Sequence, residues 1–512
     1  MKILFIYPNK AMVTRMPLGM CYLVAHLKNA GHEVKVFDTT FIKCGAGKNE
    51  EELRESSLQV KNPNIKEYGM VEEELDVFDE LEKVTESFKP DIVGISIADP
   101  NYQFGLQLLK QIRGNAPQIP IIAGGPTPTL APDEVMAEDC IDMICVGEGE
   151  EAICELCDKL ERGGDIKNIK NIWVKKDGKI YKNPIRELKD LDDILAPDLD
   201  VLDKRHFIRP LGGKMYTMAT VMWTRGCLFD CKYCANSSFV KLYQNKGKFY
   251  RIKNPEQIIK ELLDWKQKYN INFFFFVDDI FPLHRPEIID EFCKLYKEHI
   301  NLPFSINLQP TLVKEEQLAK VIDAGCCNIC VGLESGNRGI REKVLGRVYE
   351  DEQVIRVFNL AKKYGIRSSS FNIIGLPYET RENILETIEL NRKANPTSAT
   401  VTFFHPYRGS VLREQCIREN LFNPATEKTN KDTLYREEVN LDLPQISKNE
   451  VKGLFKTFQL YFKLPKEYYG LIKVAEGENE IAEEVYSKIL KPKFDAITKK
   501  ESEWDFTKKP YN

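Results

Sequence analysis

Two series of short apolar segments, each segment separated from the next by an amphipathic helical pattern, constrain the fold of this chain more than any other feature. The first series occupies residues 3–146 and the second runs from residue 219 to residue 404. Short apolar runs that alternate with helices are typical of parallel sheets, whose strands are buried on both faces and joined by helical crossovers. The sequence therefore predicts an α/β protein with two successive parallel sheets.

The first series predicts a doubly wound, flavodoxin-like domain of about five strands over residues 1–165. Its strand candidates are 3–7, 34–37, 92–97, 121–123 and 143–146. The charged, weakly periodic segment 43–73 is expected to be an insertion or a surface excursion inside this domain. A linker is expected at 166–215, in which residues 172–181 have the pattern of a β-hairpin with a tight turn.

The second series predicts a partial (β/α)6 barrel over residues 216–415, because six strand–helix units are too few for a closed barrel of eight. Its strand candidates are 219–223, 272–277, 304–307, 329–333, 370–374 and 400–404. Binding sites in parallel α/β folds collect at the carboxyl ends of the strands, so the loops there are expected to surround one chamber. Residues 416–512 predict a mainly helical C-terminal region that closes the barrel, with helices over 451–462 and 480–490.

Composition places the chain among enzyme-sized globular proteins. The 512 residues include 73 Lys and Arg against 77 Asp and Glu, a formal net charge of −4, so nucleic acid is not expected as a partner. No apolar stretch approaches the ~20 residues that a membrane span needs. The first residues lack the layout of a signal peptide, which predicts a cytoplasmic location. Fourteen cysteines in such a chain are expected to be thiols or metal ligands rather than disulfides.

Three of these cysteines form a C-x3-C-x2-C loop directly after the first strand of the second series; they are Cys227, Cys231 and Cys234. Three thiolates can hold three irons of a [4Fe–4S] cluster and leave the fourth iron open to a chelating small molecule. A zinc knuckle and structural thiols are the alternatives. A closed zinc site needs a fourth ligand at matching spacing, and the next histidine is His284, so the cluster is favoured.

Two other cysteine groups have simpler interpretations. Cys326, Cys327 and Cys330 could hold an auxiliary cluster, but neighbouring strand positions face opposite ways, which favours buried thiols. Cys154 and Cys157 form a C-x-x-C pair on a predicted helix. A redox role requires an exposed helix N-terminus, so a structural role is favoured for this pair.

With Tyr233 before its third cysteine, the loop resembles the signature of the radical S-adenosylmethionine (SAM) superfamily. Runs at 274–281, 305–309, 332–336, 373–380 and 406–410 resemble the family's later motifs in order and spacing. The resemblance implies that the cluster's open iron binds SAM and that SAM cleavage yields a 5′-deoxyadenosyl radical. It further implies the SAM-binding residues Tyr233, Asp278, Asp279, Asn307, Gln309, Glu334, Ser335, Ile374 and Gly375.

The front domain resembles the cobalamin-binding domain that precedes the barrel in the cobalamin-dependent branch of this superfamily. Glycines just after its strands permit a corrin and its nucleotide tail to approach the backbone closely. A flavodoxin-like domain that uses these turns only for topology is the alternative. The resemblance implies the cobalamin-binding residues Pro17, Leu18, Gly19, Ser96, Ala98, Tyr102, Gly124, Gly125, Pro126, Thr127, Gly147, Glu148, Gly149 and Glu150.

One departure from that family concerns cobalt. Many cobalamin domains carry an Asp-x-His-x-x-Gly run whose histidine ligates the metal, and this chain has none. The departure predicts base-off cobalamin with no histidine below cobalt, and the loop 98–104 is the candidate for that face.

The resemblance implies a methyltransferase that moves a methyl group from methylcobalamin to an unactivated carbon, with a second SAM to remethylate the cobalamin. A cyclase or rearrangement enzyme with the same cofactors is the first alternative. A methylthiotransferase, which needs three further N-terminal cysteines, and a non-enzymatic carrier follow. An external electron donor such as flavodoxin or ferredoxin is implied. The substrate remains open among a peptide or protein residue, a lipid, a tetrapyrrole and a small natural product.

Overall fold

In the computed structural model the chain forms two seven-stranded sheets that follow one another in sequence. The structure describes residues 1–10, 12, 16–44, 50–61, 63–426, 437–499, 504 and 506. The strands are β1 (Lys2–Tyr7), β2 (Glu33–Asp38), β3 (Ile92–Ser96), β4 (Ile121–Gly124), β5 (Met143–Cys145), β6 (Ile172–Lys176), β7 (Lys179–Tyr181), β8 (Ile208–Leu211), β9 (Lys214–Val221), β10 (Thr224–Arg225), β11 (Arg251–Ile252), β12 (Phe273–Phe276), β13 (Phe304–Leu308), β14 (Cys326–Glu334), β15 (Arg367–Ile374) and β16 (Ser398–Phe403).

Helices connect the parallel strands and build the C-terminal region. They are α1 (Leu18–Asn29), α2 (Glu50–Ser56), α3 (Val77–Phe88), α4 (Tyr102–Asn115), α5 (Pro126–Leu130), α6 (Pro132–Met136), α7 (Glu150–Glu161), α8 (Asn236–Leu242), α9 (Pro255–Tyr269), α10 (Pro286–Leu295), α11 (Glu315–Asp323), α12 (Asp351–Lys363), α13 (Arg381–Ala394), α14 (Val411–Arg418), α15 (Lys448–Lys463), α16 (Tyr469–Ala475), α17 (Glu480–Glu484) and α18 (Lys491–Thr498). Side-chain oxygens cap the N-termini of several helices. Asp76, Asn254 and Ser447 accept backbone N–H groups at the N-termini of α3, α9 and α15. No described helix has the length and apolar character that crossing a membrane requires.

The first sheet confirms the doubly wound, flavodoxin-like prediction. Strands β1 to β5 are parallel and stand in the order β2-β1-β3-β4-β5, so the topological switch point lies between β1 and β3. The predicted hairpin forms as β6 and β7, but it adds to β5 as an antiparallel extension of this sheet instead of lying in a separate linker.

The second sheet confirms the prediction of a partial (β/α)6 barrel. Six parallel strands stand in the order β16-β15-β14-β13-β12-β9, and β8 pairs antiparallel with β9, which leaves the barrel open between β8 and β16. Aromatic rings pack outside the first strand, where Trp223 stacks on Phe292 with ring centroids 4.4 Å apart. The Trp223 indole N–H also donates to the Lys253 carbonyl at 2.7 Å. These contacts fix the end of the strand from which the cysteine loop begins.

The open edge of the barrel at β16 is covered by side chains from distant parts of the chain. The Gln59 carbonyl oxygen accepts the Val401 N–H at 3.0 Å, and the Gln459 amide donates to the Ala399 carbonyl. Both glutamines are buried. Most described residues of the segment 43–73 are exposed or half-buried, which agrees with the insertion or surface excursion predicted there. Gln59 is an exception, because it completes the hydrogen bonds of an edge strand that water would otherwise satisfy.

We predict that Gln59→Ala lowers the free energy of unfolding by about 1–3 kcal/mol, because it leaves the buried Val401 N–H without its acceptor. Guanidinium denaturation of the full chain measures this change. Gln257 is exposed on α9, so Gln257→Ala is the matched control, with an expected change within about 0.5 kcal/mol. Equal effects of the two substitutions would contradict this account of the barrel edge.

Candidate cofactor site

The cysteine loop begins two residues after β10, and its conformation requires the glycine that precedes it. Gly226 has φ +87°, and a Cβ at this position would lie 2.4 Å from the Phe249 carbonyl oxygen. Both the positive φ and this close contact exclude a residue with a side chain at position 226. The glycine turns the chain sharply, so that Cys227 stands at the carboxyl end of the barrel strands.

The three cysteine thiols of the loop suit a cluster better than a single metal ion. All three are free, Cys231 is buried and the other two are half-buried. Within the described residues no three His, Cys, Asp or Glu side chains converge as the ligands of one ion do. Zinc requires such convergence, whereas a cubane places each thiolate on a different iron.

Hydrogen-bond donors surround the sulfur atoms. The Phe229 N–H points to the Cys227 Sγ at 3.5 Å, and the Asn236 amide points to the Cys234 Sγ at 3.7 Å. Burial raises the pKa of Cys227 to about 12 and that of Cys234 to about 11. These thiols therefore form thiolates only when a metal displaces their protons, and the donors then stabilise the charged sulfur.

A buried network joins the Cys231 sulfur to the loop after β14, and no sequence motif marks its central residue, Arg347. The Arg347 guanidinium lies 4.0 Å from the Cys231 Sγ and donates to the Tyr233 hydroxyl at 3.3 Å. It also lies 3.6 Å from the Glu334 carboxylate, and both side chains are only 10% exposed. Arg347 follows the Glu334 run by thirteen residues, and no periodic pattern marks it.

Glu334 has a strained backbone conformation, and the glycine at position 332 leaves room for its side chain. Its φ is +63°, and a Cβ at Gly332 would lie 2.5 Å from the Glu334 Oε1. Burial raises the pKa of Glu334, while the nearby Arg347 charge acts in the opposite direction. A non-glycine residue with positive φ at the end of a barrel strand is typical of a functional site.

Two consecutive carboxylates at the end of β12 differ in their surroundings. Asp278 is buried and accepts the Thr224 N–H at 2.6 Å and the Thr224 hydroxyl at 3.1 Å, and burial raises its pKa to about 7. Asp279 is exposed, and its charge raises the pKa of both Cys227 and Cys234, so it lies beside the cysteine loop. Asp279 therefore presents its carboxylate to the space next to the thiols, whereas Asp278 is held by Thr224 through Oδ1 and keeps its Oδ2 without a hydrogen-bond partner among the described residues.

The remaining residues predicted to bind SAM lie at the same ends of β13, β14 and β15. Asn307 donates to the Asp278 carbonyl at 3.4 Å, whereas the Gln309 side-chain oxygen accepts the Thr311 N–H at 2.6 Å in its own turn. Ser335 is buried with its hydroxyl 3.5 Å from that of Thr387, and Ile374 and Gly375 end β15. The structure thus brings the predicted set to one end of the barrel, with Gln309 engaged locally.

The other two cysteine groups lie inside regular secondary structure, and all of their thiols are buried except that of Cys154, which is half-buried. Cys326, Cys327 and Cys330 all lie within β14, and burial raises the pKa of each. Cys154 and Cys157 lie inside α7, away from its N-terminus, and burial raises their pKa values to about 11 and about 12. Their positions within a strand and a helix agree with the structural role favoured for them.

A cavity of about 220 Å³ opens at the carboxyl edge of the first sheet. Its walls come from the ends of β1, β3, β4 and β5, from α1 and from the residues before the cysteine loop. We call it the front cavity. Eight of the residues predicted to bind cobalamin line it, namely Gly19, Ser96, Gly124, Gly125, Gly147, Glu148, Gly149 and Glu150.

Two glycines keep the wall of the front cavity close to the backbone. A Cβ at Gly125 (φ +101°) would lie 2.8 Å from the Ile97 carbonyl oxygen, and one at Gly147 (φ +87°) would lie 2.4 Å from the Tyr243 hydroxyl. Both Cβ atoms would clash with neighbouring protein atoms, so these two turns require glycine. The wall that they leave without side chains lets a ligand such as the nucleotide tail of a corrinoid approach the backbone closely.

Six other residues of the cobalamin prediction lie outside the lining of the front cavity. Tyr102 is buried under Arg408, whose guanidinium carbon lies 4.8 Å from the ring centroid, and the Thr127 hydroxyl donates to Asp99 at 2.9 Å. Pro17, Leu18, Ala98 and Pro126 lie nearby on the loops that follow β1, β3 and β4 or on the helices that these loops begin.

The front cavity and the cysteine loop share a wall. Arg225, two residues before Cys227, lines the cavity and pairs with Glu150 at 2.7 Å and with Glu148 at 3.4 Å. Burial opposes ionisation of Glu150, but the Arg225 charge lowers the pKa of this carboxyl below its usual value. Arg251 of β11 also binds Glu148. The sequence analysis missed Arg225 and Met222, which contribute to the cavity from the barrel side.

Comparison with known families matches both halves of the chain. The Radical SAM superfamily matches residues 221–390, which include the cysteine loop, and the B12 binding domain family matches residues 12–157, which include the first sheet. Structures of two enzymes share the fold. The cobalamin-dependent S-adenosylmethionine radical enzyme OxsB superposes with a TM-score of 0.63 at 15% identity, over 97% of this chain and 71% of OxsB. The radical SAM methyltransferase TsrM of Kitasatospora setae superposes with a TM-score of 0.59 at 18% identity, over 81% of this chain and 76% of TsrM.

Two curated relatives match across most of their length. An uncharacterized methyltransferase of Pyrococcus horikoshii is 28% identical over 82% of this chain and 84% of its own. An anaerobic magnesium-protoporphyrin IX monomethyl ester cyclase of Rubrivivax gelatinosus is 27% identical over 81% of this chain and 70% of its own. With the cysteine loop, the glycine-lined front cavity and both family matches in a single chain, this protein belongs to the cobalamin-dependent radical SAM enzymes of the methyltransferase-like family.

Proposed function

We propose that this enzyme transfers a methyl group to an unactivated carbon of its substrate. The observation that carries the proposal is the wall that Arg225 makes between the front cavity and the cysteine loop. A methyl donor and a hydrogen-abstracting centre must both reach one substrate carbon, and this arrangement sets their two sites side by side. When bound, the cluster with SAM supplies a radical that takes a hydrogen atom, and methylcobalamin supplies the methyl group.

In this proposal Cys227, Cys231 and Cys234 hold the cluster. Arg347 keeps a positive charge beside the Cys231 sulfur, and Glu334 balances that charge inside the protein. Buried ion pairs of this kind keep both partners in fixed positions because separating them leaves an uncompensated charge.

In the same proposal, the hydrogen-bond acceptors around the cysteine loop bind SAM. Asp279 is exposed beside Cys227 and accepts hydrogen bonds from the SAM amine. The Asp278 Oδ2 and the Asn307 Oδ1 are buried without a hydrogen-bond partner among the described residues, which suits acceptors whose partner is a ligand. Tyr233, Gln309, Ser335, Ile374 and Gly375 shape the walls of that site.

For cobalamin we propose the base-off form without a histidine ligand. None of the residues that line the described front cavity is a histidine, and His26 is instead engaged with the Tyr22 carbonyl at 2.8 Å. The eight lining residues would receive the nucleotide tail. The residues outside the lining, including Tyr102 and Thr127, would support the loops that face the corrin.

The reaction needs an external electron donor, and we propose a flavodoxin or a ferredoxin in the cytoplasm. The fourteen cysteines are all free, which agrees with a reducing compartment. A cyclase with the same cofactors is the second candidate function, and the 27% identity to the Rubrivivax cyclase favours it over a methylthiotransferase or a non-enzymatic carrier.

We predict that Cys231→Ala abolishes cluster assembly and SAM cleavage, because two thiolates cannot hold the cluster open at one iron. Anaerobic reconstitution followed by iron analysis should give about four irons per chain for the unaltered protein and less than about one for the variant. Cys330→Ala is the matched control, since its thiol is buried in β14, and its iron content should stay unchanged. If Cys330→Ala lost its iron while Cys231→Ala kept it, the assignment of the cluster to the cysteine loop would be overturned.

We also predict the products of SAM turnover. A methyltransferase of this kind consumes SAM in two ways, so 5′-deoxyadenosine and S-adenosylhomocysteine should accumulate together, with formation of methylcobalamin. Chromatography of anaerobic reactions with a low-potential reductant measures all three compounds. Production of 5′-deoxyadenosine without S-adenosylhomocysteine would instead support the cyclase.

A further inference from the structure

The segment between β14 and α12, residues 335–350, packs directly against the cysteine loop. We call this segment the arginine loop. The Lys232 N–H donates to the Leu345 carbonyl at 2.9 Å, and the Lys232 Nζ donates to the Lys343 carbonyl at 2.8 Å. Lys232 follows Cys231 in sequence. The arginine loop is therefore joined to the chain beside one of the three proposed cluster ligands.

Arg341 holds both ends of the arginine loop from inside the protein. Its side chain is only 1% exposed. At the start of the loop its Nη1 donates to the Ser335 and Gly336 carbonyls at 3.1 and 2.9 Å. At the end its Nη2 pairs with the Asp351 carboxylate at 2.5 Å and points to the Tyr349 carbonyl at 3.5 Å. A guanidinium can hold acceptors on two sides at once because its donors form a rigid planar fork.

Two contacts connect Arg341 to Arg347 within the arginine loop. The Arg347 N–H donates to the Arg341 carbonyl at 2.8 Å. Both guanidinium groups also lie over the ring of Tyr349, with carbon-to-centroid distances of 4.7 Å for Arg341 and 5.7 Å for Arg347. Tyr349 is buried, and its hydroxyl donates to the Leu333 carbonyl. The position of Arg347 therefore depends on that of Arg341.

Arg347 is the residue of the arginine loop that reaches the cluster site. Its guanidinium lies 4.0 Å from the Cys231 Sγ and donates to the Gly332 carbonyl at 2.9 Å. The Glu334 carboxylate lies 3.6 Å from the same guanidinium, but the guanidinium is the partner of this pair that donates toward the sulfur. Reduction makes a cluster more negative by one charge, so a cation beside its thiolate stabilises the reduced form more than the oxidised form.

We propose that Arg347 raises the reduction potential of the cluster and that Arg341 is the positioning residue that keeps Arg347 in place. The step that the two arginines favour is the transfer of one electron. The external flavodoxin or ferredoxin is oxidised by one electron and the cluster is reduced from [4Fe–4S]2+ to [4Fe–4S]+, with no proton transferred. This inference rests on the proposed function, because it concerns the same cluster, and it assigns control of electron entry to residues outside the cysteine loop.

Potentiometric titration of the anaerobically reconstituted holoenzyme tests the proposal, with electron paramagnetic resonance of the reduced cluster as the readout and without added SAM. In Arg347→Gln we expect the ratio of reduced to oxidised cluster at a fixed potential to fall at least about tenfold, a midpoint shift of about −59 mV for one electron. Arg338→Gln is the matched control, because Arg338 lies on the same loop and is 60% exposed. Its midpoint should equal that of the unaltered protein.

Arg341→Lys separates positioning from charge. The ammonium keeps the positive charge but cannot hold both ends of the arginine loop, so we expect the reduced fraction to fall in the same direction, at least about threefold. In the double variant Arg341→Lys/Arg347→Gln the midpoint should equal that of Arg347→Gln alone, because Arg341 acts through Arg347. An unchanged midpoint in either single variant, or a double variant whose shift is the sum of the two, would overturn the proposal.

A milder variant tests Arg341 if Arg341→Lys does not fold. Asp351 is 40% exposed, and Asp351→Asn releases the Arg341 guanidinium from its ion pair at the end of the loop. Loss of an acidic charge alone would raise the midpoint potential, whereas displacement of Arg347 lowers it. We therefore expect a lower midpoint, and a higher or unchanged one would overturn the positioning role.

Iron content and the products of SAM turnover, measured on the same preparations, distinguish this inference from the function on which it rests. About four irons per chain together with unshifted midpoints in the arginine variants would refute this inference alone. Shifted midpoints in an enzyme that forms no S-adenosylhomocysteine would leave the roles of the arginines assigned and refute methyl transfer. A chain that takes up no cluster would refute both.

Discussion

The buried ion pairs between the two sheets are the interactions on which the whole site depends. Arg225 binds Glu150 beside the cysteine loop. Arg408, on the loop after β16, binds Asp99 after β3 at 3.3 Å and Glu134 of α6 at 3.1 Å. The Arg408 and Asp99 side chains are nearly inaccessible to water, at 5% and 4% exposure. Such pairs add little net stability, but breaking one leaves a buried charge, so they tolerate a single relative placement of the two partners.

In this relative placement of the two sheets, each sheet contributes a different part of the site. Both parallel sheets direct the carboxyl ends of their strands, and hence their loops, to one region, as parallel α/β folds do. The first sheet contributes glycine turns that leave room for a large flat ligand, and the second contributes the cysteine loop and its acceptors. The motif-bearing residues thus account for the cofactors. The side of the barrel that they leave open is closed by Gln59, Gln459 and the C-terminal helices.

The sequence was informative where a feature repeats or lies within a short run. Strand positions followed from alternating apolar segments, and the cysteine loop, Glu334 and the glycine turns lie in compact motifs. Long-range side-chain contacts have no such signature. Gln59 and Val401 are separated by 342 residues, and Arg347 reaches Cys231 across 116 residues. A glutamine in a charged segment predicts a surface loop. Only the folded structure shows that Gln59 completes the edge of a strand.

The central claim is that an open [4Fe–4S] cluster and a base-off corrinoid occupy neighbouring sites in one chain. Anaerobic purification with iron, sulfide and corrinoid analysis, followed by electron paramagnetic resonance of the cob(II)alamin form, tests it most directly. The account predicts about four irons and one corrinoid per chain, with a cob(II)alamin spectrum free of nitrogen hyperfine splitting. A zinc-filled or disulfide-bonded cysteine loop, a chain that takes up no corrinoid, or a clear nitrogen splitting at cobalt would contradict it.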